Sequence, residues 1–220
     1  MSINFILFLI MKRMFLASQA KHPTTIKHLR DYIGQDFNNL SVAYIPTALN
    51  GETYGSWKKS DSLKVVKSLG FKIEIVELEL YFLTDIRRSI DRADIIWFAE
   101  GMAGYLLYWI RRCQLEKVIP QYLEQGKIYV GSSAGSMICS YTQNVAEWLI
   151  GEEEYGASLI PGLGLIDFEI YPHYKEELLP QIESNWRKSN GELRLLRDGD
   201  AITVTDNKIA TLGEEIIITR

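Results

Sequence analysis

Short apolar runs and longer amphipathic stretches alternate along the chain. Arg13 to Ala17, Ser41 to Ile45, Ile95 to Phe98 and Ile128 to Val130 are too short for helices, and each predicts a strand. Phe71 to Leu78 alternates apolar with charged positions and predicts another. Between them, helices are expected over Thr25 to Phe37, capped by Thr24 or Thr25, and over Trp57 to Leu69, stopped by Gly70. Thr84 is placed to cap a short helix reaching Arg92. Tyr105 to Arg112 and Leu115 to Gln125 read as further helices, the second ended by Gly126. Pro46 ends its strand, and the loop Thr47 to Gly55 carries the turn signal Asn50-Gly51.

Strands alternating with helices at these lengths imply βαβ units and a mostly parallel sheet covered on both faces. The last part changes character. Leu163 to Ile170, Ala201 to Thr205, Lys208 to Thr211 and Glu215 to Thr219 read as short strands, with Asp206-Asn207 as a hairpin turn and a helix over about Glu176 to Ser189. The expected fold is α/β, a three-layer α/β/α sandwich whose mostly parallel sheet is extended at one edge by antiparallel C-terminal strands. Its active face lies at the carboxyl ends of the parallel strands. Residues 1–10 read as an extension or a misassigned start, because Met11-Lys-Arg-Met-Phe leads at once into a strand, and 11–220 as a single α/β domain.

Composition narrows the function. With 220 residues the chain has enough for one full core, and a net charge of −4 offers no electrostatic reason to bind nucleic acid. Cys113 and Cys139 lack C-x-x-C spacing and read as reduced thiols of a cytoplasmic protein. The three histidines form no ligand-like cluster, so no zinc site is expected. Met1 to Ile10 is apolar but too short to span a bilayer and lacks a basic n-region, so no membrane partner is expected.

Chemistry concentrates at Gly131-Ser-Ser-Ala-Gly135, a G-x-S-x-G pattern between a predicted strand and a helix expected over Ala134 to Tyr141. Such a turn needs small flanking residues and projects its middle serine, Ser133, toward the positive end of the following helix. The same glycines also suit a close-packed turn or a phosphate-binding one. A nucleophilic serine needs a base. His22 and His28 lie near the first helix, whereas His173 in Ile170-Tyr-Pro-His-Tyr174 follows an apolar strand and a rigid proline. Asp198, before a turn at Gly199, is a candidate to orient it, with Asp167, Glu169 and Glu147 as competitors. The loop Glu100-Gly101-Met102-Ala103 after Phe98 is placed so that the N–H groups of Gly101 and Ala134 can form an oxyanion hole, or serves as an ordinary β-to-α turn.

In order, Ile45-Pro46-Thr47, a glycine loop with Leu106-Leu107, the Ser133 elbow, Gly162-Leu-Gly-Leu165 and Pro172-His173-Tyr174 resemble the peptidase E (aspartyl dipeptidase) family, which includes cyanophycinase. The resemblance implies a flavodoxin-like fold related to class I glutamine amidotransferases. It also implies a cofactor-free serine peptidase acting on small peptides, Asp-X dipeptides among them. It casts Ser133 as nucleophile and His173 as base, and sets Asp198 where the family has a glutamate. The family's Gly-Gly-Asn-Thr is replaced here by Glu100-Gly101-Met102-Ala103. A carboxylate there disfavours both an oxyanion and an acidic substrate side chain, unless Lys175, Arg194 or Arg197 reaches the pocket. An esterase or amidase using the same triad, and a ligand-binding relative without catalysis, are the alternatives. A homodimer is left open.

Overall fold

The computed structural model describes residues 12–52, 57–80, 83–187 and 191–219. Met1 to Ile10, the end of the loop Thr47 to Gly55, and the end of the helix expected to reach Ser189 lie outside them.

In chain order the first half runs β1 (Arg13–Ala17), α1 (Pro23–Ile33), β2 (Ser41–Ile45), α2 (Thr47–Asn50), α3 (Asp61–Ser68), β3 (Lys72–Ile75), α4 (Leu83–Arg92) and β4 (Ile95–Phe98). Then come α5 (Ala103–Arg112), α6 (Val118–Glu124), β5 (Ile128–Ser132), α7 (Ala134–Met137) and α8 (Asn144–Trp148). The last part holds β6 (Glu169–Tyr171), α9 (Leu179–Trp186), β7 (Glu192–Leu195), β8 (Ala201–Thr205), β9 (Lys208–Leu212) and β10 (Ile216–Thr219).

Among the described residues a seven-stranded sheet has the order β3-β2-β4-β5-β1-β8-β9. Strands β3 through β1 in that order are mutually parallel, and β8 and β9 join antiparallel. This is the expected α/β fold with a mostly parallel sheet. Side chains alternate across it, as strand geometry requires. Met14, Leu16, Ala43, Ile45, Ile96 and Phe98 enter one core, while Phe15, Ala17, Val42, Tyr44, Ile95 and Trp97 enter the other. Helices α4 to α7 cover the first face, and α1 and α3 the second.

The structure corrects several local expectations. The cap of α1 is His22, whose Nδ1 accepts the Thr24 N–H at 3.3 Å, with Pro23 in the first turn. Proline suits that position because its missing N–H is an orphan there anyway, and Thr25 is buried inside the helix instead. The helix from Trp57 is interrupted, because Ser60 adopts an extended backbone and accepts the Leu63 N–H to start α3. Thr84 lies within α4 rather than before it.

The largest correction concerns the C-terminal strands. Among the described residues, β8 and β9 alone extend the main sheet at its C-terminal edge. β6, β7 and β10 form a second, three-stranded sheet, in which β6 and β7 are parallel. Leu163 to Ile166 are not strand. Their amides go to carbonyls at the end of α7, with Leu163 N–H on Ile138 O at 2.8 Å and Leu165 N–H on Cys139 O at 2.7 Å. Those bonds satisfy buried carbonyls just past the helix terminus. They also accompany the end of α7 at Met137, short of the expected Tyr141.

Phe98 and Tyr129 are fully buried and stack at 5.0 Å between centroids, directly beneath the loops at the carboxyl edge. Phe98→Ala is expected to cost about 3–5 kcal/mol in denaturant unfolding, whereas Tyr108→Ala on an exposed helix face should cost less than about 0.5 kcal/mol.

Candidate active site

The carboxyl end of β5 makes a strained turn. Ser133 has φ 46° and ψ −109°, a region that side chains avoid. A Cβ on Gly131 would lie 2.5 Å from Gly135 O, and one on Gly135 would lie 2.3 Å from Phe98 O. Neither position accepts a larger residue without moving backbone. The turn is held by the Ser133 N–H on Ala17 O at 3.0 Å and the Ser136 N–H on Ser133 O at 2.8 Å. Ser136 Oγ also donates to Ala17 O, at 2.8 Å.

His173 Nε2 stands 3.1 Å from Ser133 Oγ, and its Nδ1 stands 2.7 Å from Asp198 Oδ1. With the proton on Nδ1, the imidazole donates to the carboxylate and leaves Nε2 free to accept the serine O–H. Three residues far apart in sequence therefore form one hydrogen-bonded line. Asp198 is carried by a turn after β7 in which the Asp200 N–H meets Arg197 O at 2.9 Å and Gly199 has φ 108°.

Electrostatics bind the pair together. Burial pulls the His173 pKa down, but the hydrogen bond and charge of Asp198, with Glu152 and Glu100 adding, outweigh it and raise the value overall. The hydrogen bond from His173 holds Asp198 below the usual carboxylate range against partial burial, with Ser18 contributing.

The competitors are accounted for. Asp167 is exposed. Glu169 is buried and accepts the Val145 N–H at 3.0 Å, and burial raises its pKa. Glu147 accepts the N–H groups of Gly156 and Ser158. His22 caps α1, and His28 lies within it.

Gly101 and Ala134 stand on adjacent strand ends, after β4 and β5. Ala134 opens α7, so its amide has no intrahelical acceptor. Gly101 has φ 126° and passes so close to α2 that a Cβ would sit 2.3 Å from Ala48 O. Glu100 is not a free charge: Lys21 Nζ reaches it at 2.9 Å and Ser62 Oγ donates to it at 2.5 Å.

Beside this loop lies a cavity of about 620 Å³, walled by Gly101 to Ala103, Met137, Gly51, Leu149 and the carboxylate residues Glu52, Glu152, Glu153 and Glu154. Glu154 is spent on the N–H groups of Gly104 and Tyr105, at 2.9 and 3.0 Å. Burial and the charges of Glu100 and Glu152 raise the Glu52 pKa, opposed by Lys21. Among the described residues that line it there is no lysine, arginine or histidine. Lys175 is exposed, Arg194 pairs with Glu192 at 2.5 Å, and Arg197 pairs with Glu214.

Sequence reasoning missed the segment after β1. Ser18 Oγ donates to Asp198 Oδ1 at 3.0 Å and Gln19 Nε2 donates to Asp198 Oδ2 at 3.3 Å, while Lys21 neutralises Glu100. The available signal was positional: polar residues directly after a central parallel strand face the active edge.

An uncharacterized peptidase of Listeria monocytogenes, Lmo0363, is 27% identical over 178 residues, which cover 78% of this chain and 82% of that protein. A peptidase E of Nostoc sp. is 22% identical over 201 residues, covering 87% and 79% respectively. The fold resembles the crystal structure of a candidate peptidase E protein from Listeria monocytogenes, with TM-score 0.78, 22% identity, and coverage of 92% of this chain and 98% of that one. It also resembles a peptidase from an acI-B1 actinobacterium, with TM-score 0.68, 17% identity, and coverage of 96% and 95%. Residues 14–212 match Peptidase family S51, and the chain belongs to that family of serine peptidases.

Proposed function

We propose that the protein hydrolyses small peptides through an acyl-enzyme formed on Ser133. The observation that carries this reading is the line Ser133 Oγ, His173 Nε2, His173 Nδ1, Asp198 Oδ1, with separations of 3.1 and 2.7 Å. His173 takes the serine proton as Oγ attacks the scissile carbonyl, and Asp198 stabilises the imidazolium that results. The N–H groups of Gly101 and Ala134 receive the developing oxyanion. His173 then delivers its proton to the leaving amine, and a water, activated by the same imidazole, releases the acyl group. The Lys21 pair and the Ser62 hydroxyl occupy Glu100, which removes the main physical objection to catalysis in this loop.

Ser133→Ala is expected to abolish labelling by a fluorophosphonate and to cut peptide hydrolysis by roughly ten-thousandfold or more. Wild-type protein that is folded yet neither labelled nor active would overturn the enzyme reading in favour of ligand binding. Hydrolysis of activated esters with every dipeptide untouched would instead favour an esterase.

Substrate charge is the second expectation. The cavity presents carboxylates and no cation, so an N-terminal aspartate is disfavoured there. In a panel of X-Leu dipeptides, Leu-Leu and Lys-Leu should exceed Asp-Leu in kcat/KM by on the order of tenfold, and Glu152→Gln should narrow the gap. Asp-Leu as the best substrate would discard the charge argument and restore the aspartyl specificity of the family resemblance.

His173 must be neutral to accept the serine proton. Its pKa is raised, so it stays protonated to higher pH. The acidic limb of kcat/KM should therefore lie above the ordinary imidazole value of about 6.5. Asp198→Asn should lower activity and move that limb downward, because the carboxylate that holds the proton is gone.

A further inference from the structure

We propose that Ser18 is a positioning residue that ties the acid and base arms of the site together, an inference that rests on the roles given above to Ser133, His173 and Asp198. Ser18 is fully buried immediately after β1. Its hydroxyl donates to Asp198 Oδ1 at 3.0 Å and accepts the backbone N–H of His173 at 2.8 Å. One hydroxyl can do both, having a proton and two lone pairs.

The geometry makes each bond consequential. Asp198 Oδ1 is the same oxygen that faces His173 Nδ1, so Ser18 fixes the acceptor on which the imidazole depends. Gln19 holds the second oxygen at 3.3 Å, and together the two side chains set the plane of the carboxylate. His173 has φ 56°, a conformation a non-glycine residue keeps only when its surroundings enforce it. Its amide is satisfied by Ser18 rather than by a sheet or helix partner.

The preceding residue completes the argument. Ala17 O receives the Ser133 N–H and the Ser136 hydroxyl, so the elbow is referenced to the backbone that carries Ser18. Ala20 N–H further donates to Ser132 Oγ at 3.0 Å. Nucleophile, base and acid are thus all fixed relative to Ala17–Ser18. Loss of the Ser18 hydroxyl frees Asp198 and the His173 backbone at once, while leaving the cavity walls untouched.

The test compares wild type, Ser133→Ala, Ser18→Ala and Ser18→Cys, the last being close in shape but a weak hydrogen-bond donor. Readouts are fluorophosphonate labelling rate, kcat and KM on the dipeptide cleaved fastest, and thermal unfolding to identify folded variants. Both Ser18 variants should lose about ten- to a hundredfold in labelling rate and kcat, with KM changed less than about threefold. In an Asp198→Ala background the same Ser18→Ala change should cost several-fold less than in the wild type, because one of the two groups it acts through is absent.

Full activity in folded Ser18→Ala or Ser18→Cys, or an equal loss with and without Asp198, overturns the inference. If Ser18→Ala does not fold, Ser18→Cys decides. Wild type that labels no faster than Ser133→Ala overturns the nucleophile reading and this inference with it. Labelled wild type with indifferent Ser18 variants removes the Ser18 role alone.

Discussion

The turn at Ser133 is the constraint around which the sheet is arranged. A side chain held at φ 46° and ψ −109° costs about 1–3 kcal/mol and persists only where neighbours leave no alternative. Here the neighbours are specific. Gly131 and Gly135 bring strand, turn and helix so close that a methyl group at either would strike backbone atoms. The Ala17 carbonyl holds the Ser133 amide from the adjacent strand. β5 lies between β4 and β1 in the sheet, and these flanks set the register of the turn. Packing beneath, such as Phe98 on Tyr129, supplies the rigidity that the strained residue cannot supply for itself.

From that turn the site extends by convergence. Ser133 arrives on β5, His173 after β6, and Asp198 from the turn between β7 and β8. β6 and β7 belong to the small second sheet, whereas β8 returns to the main sheet beside β1. The carboxyl end of β1 touches all three arms. It is therefore the joint between two sheets as well as the neighbour of the elbow. That explains why an unremarked loop after the first strand holds so many site contacts.

What could be read in the sequence was what depends on local spacing. The glycine-serine pattern, the βα alternation and the proline before His173 carry their meaning within a few residues, and the structure has each in place. Ser18 could not be found that way, because its partners lie 155 and 180 positions downstream. The run Leu163 to Ile166 misled for a related reason. It has strand composition, but its amides are claimed by the end of α7, a demand visible only once the two segments meet. His22 won the cap of α1 over Thr24 and Thr25 because Pro23 was placed to occupy the first turn.

Glu100 shows the limit of judging a charge by its neighbour in sequence. Beside Gly101 it looks hostile to an oxyanion, yet its carboxylate is turned to Lys21 and Ser62. The acidity that matters is distributed differently. Against the effect of burial, the hydrogen bond and charge of Asp198 raise the His173 pKa, and Glu152, which lines the cavity, and Glu100 add to it. A raised pKa means that the imidazolium is stabilised, the form that His173 would take in the proposed attack by Ser133. The Glu152 carboxylate, which lines the cavity, would in the proposed mechanism therefore also favour charge development on the base.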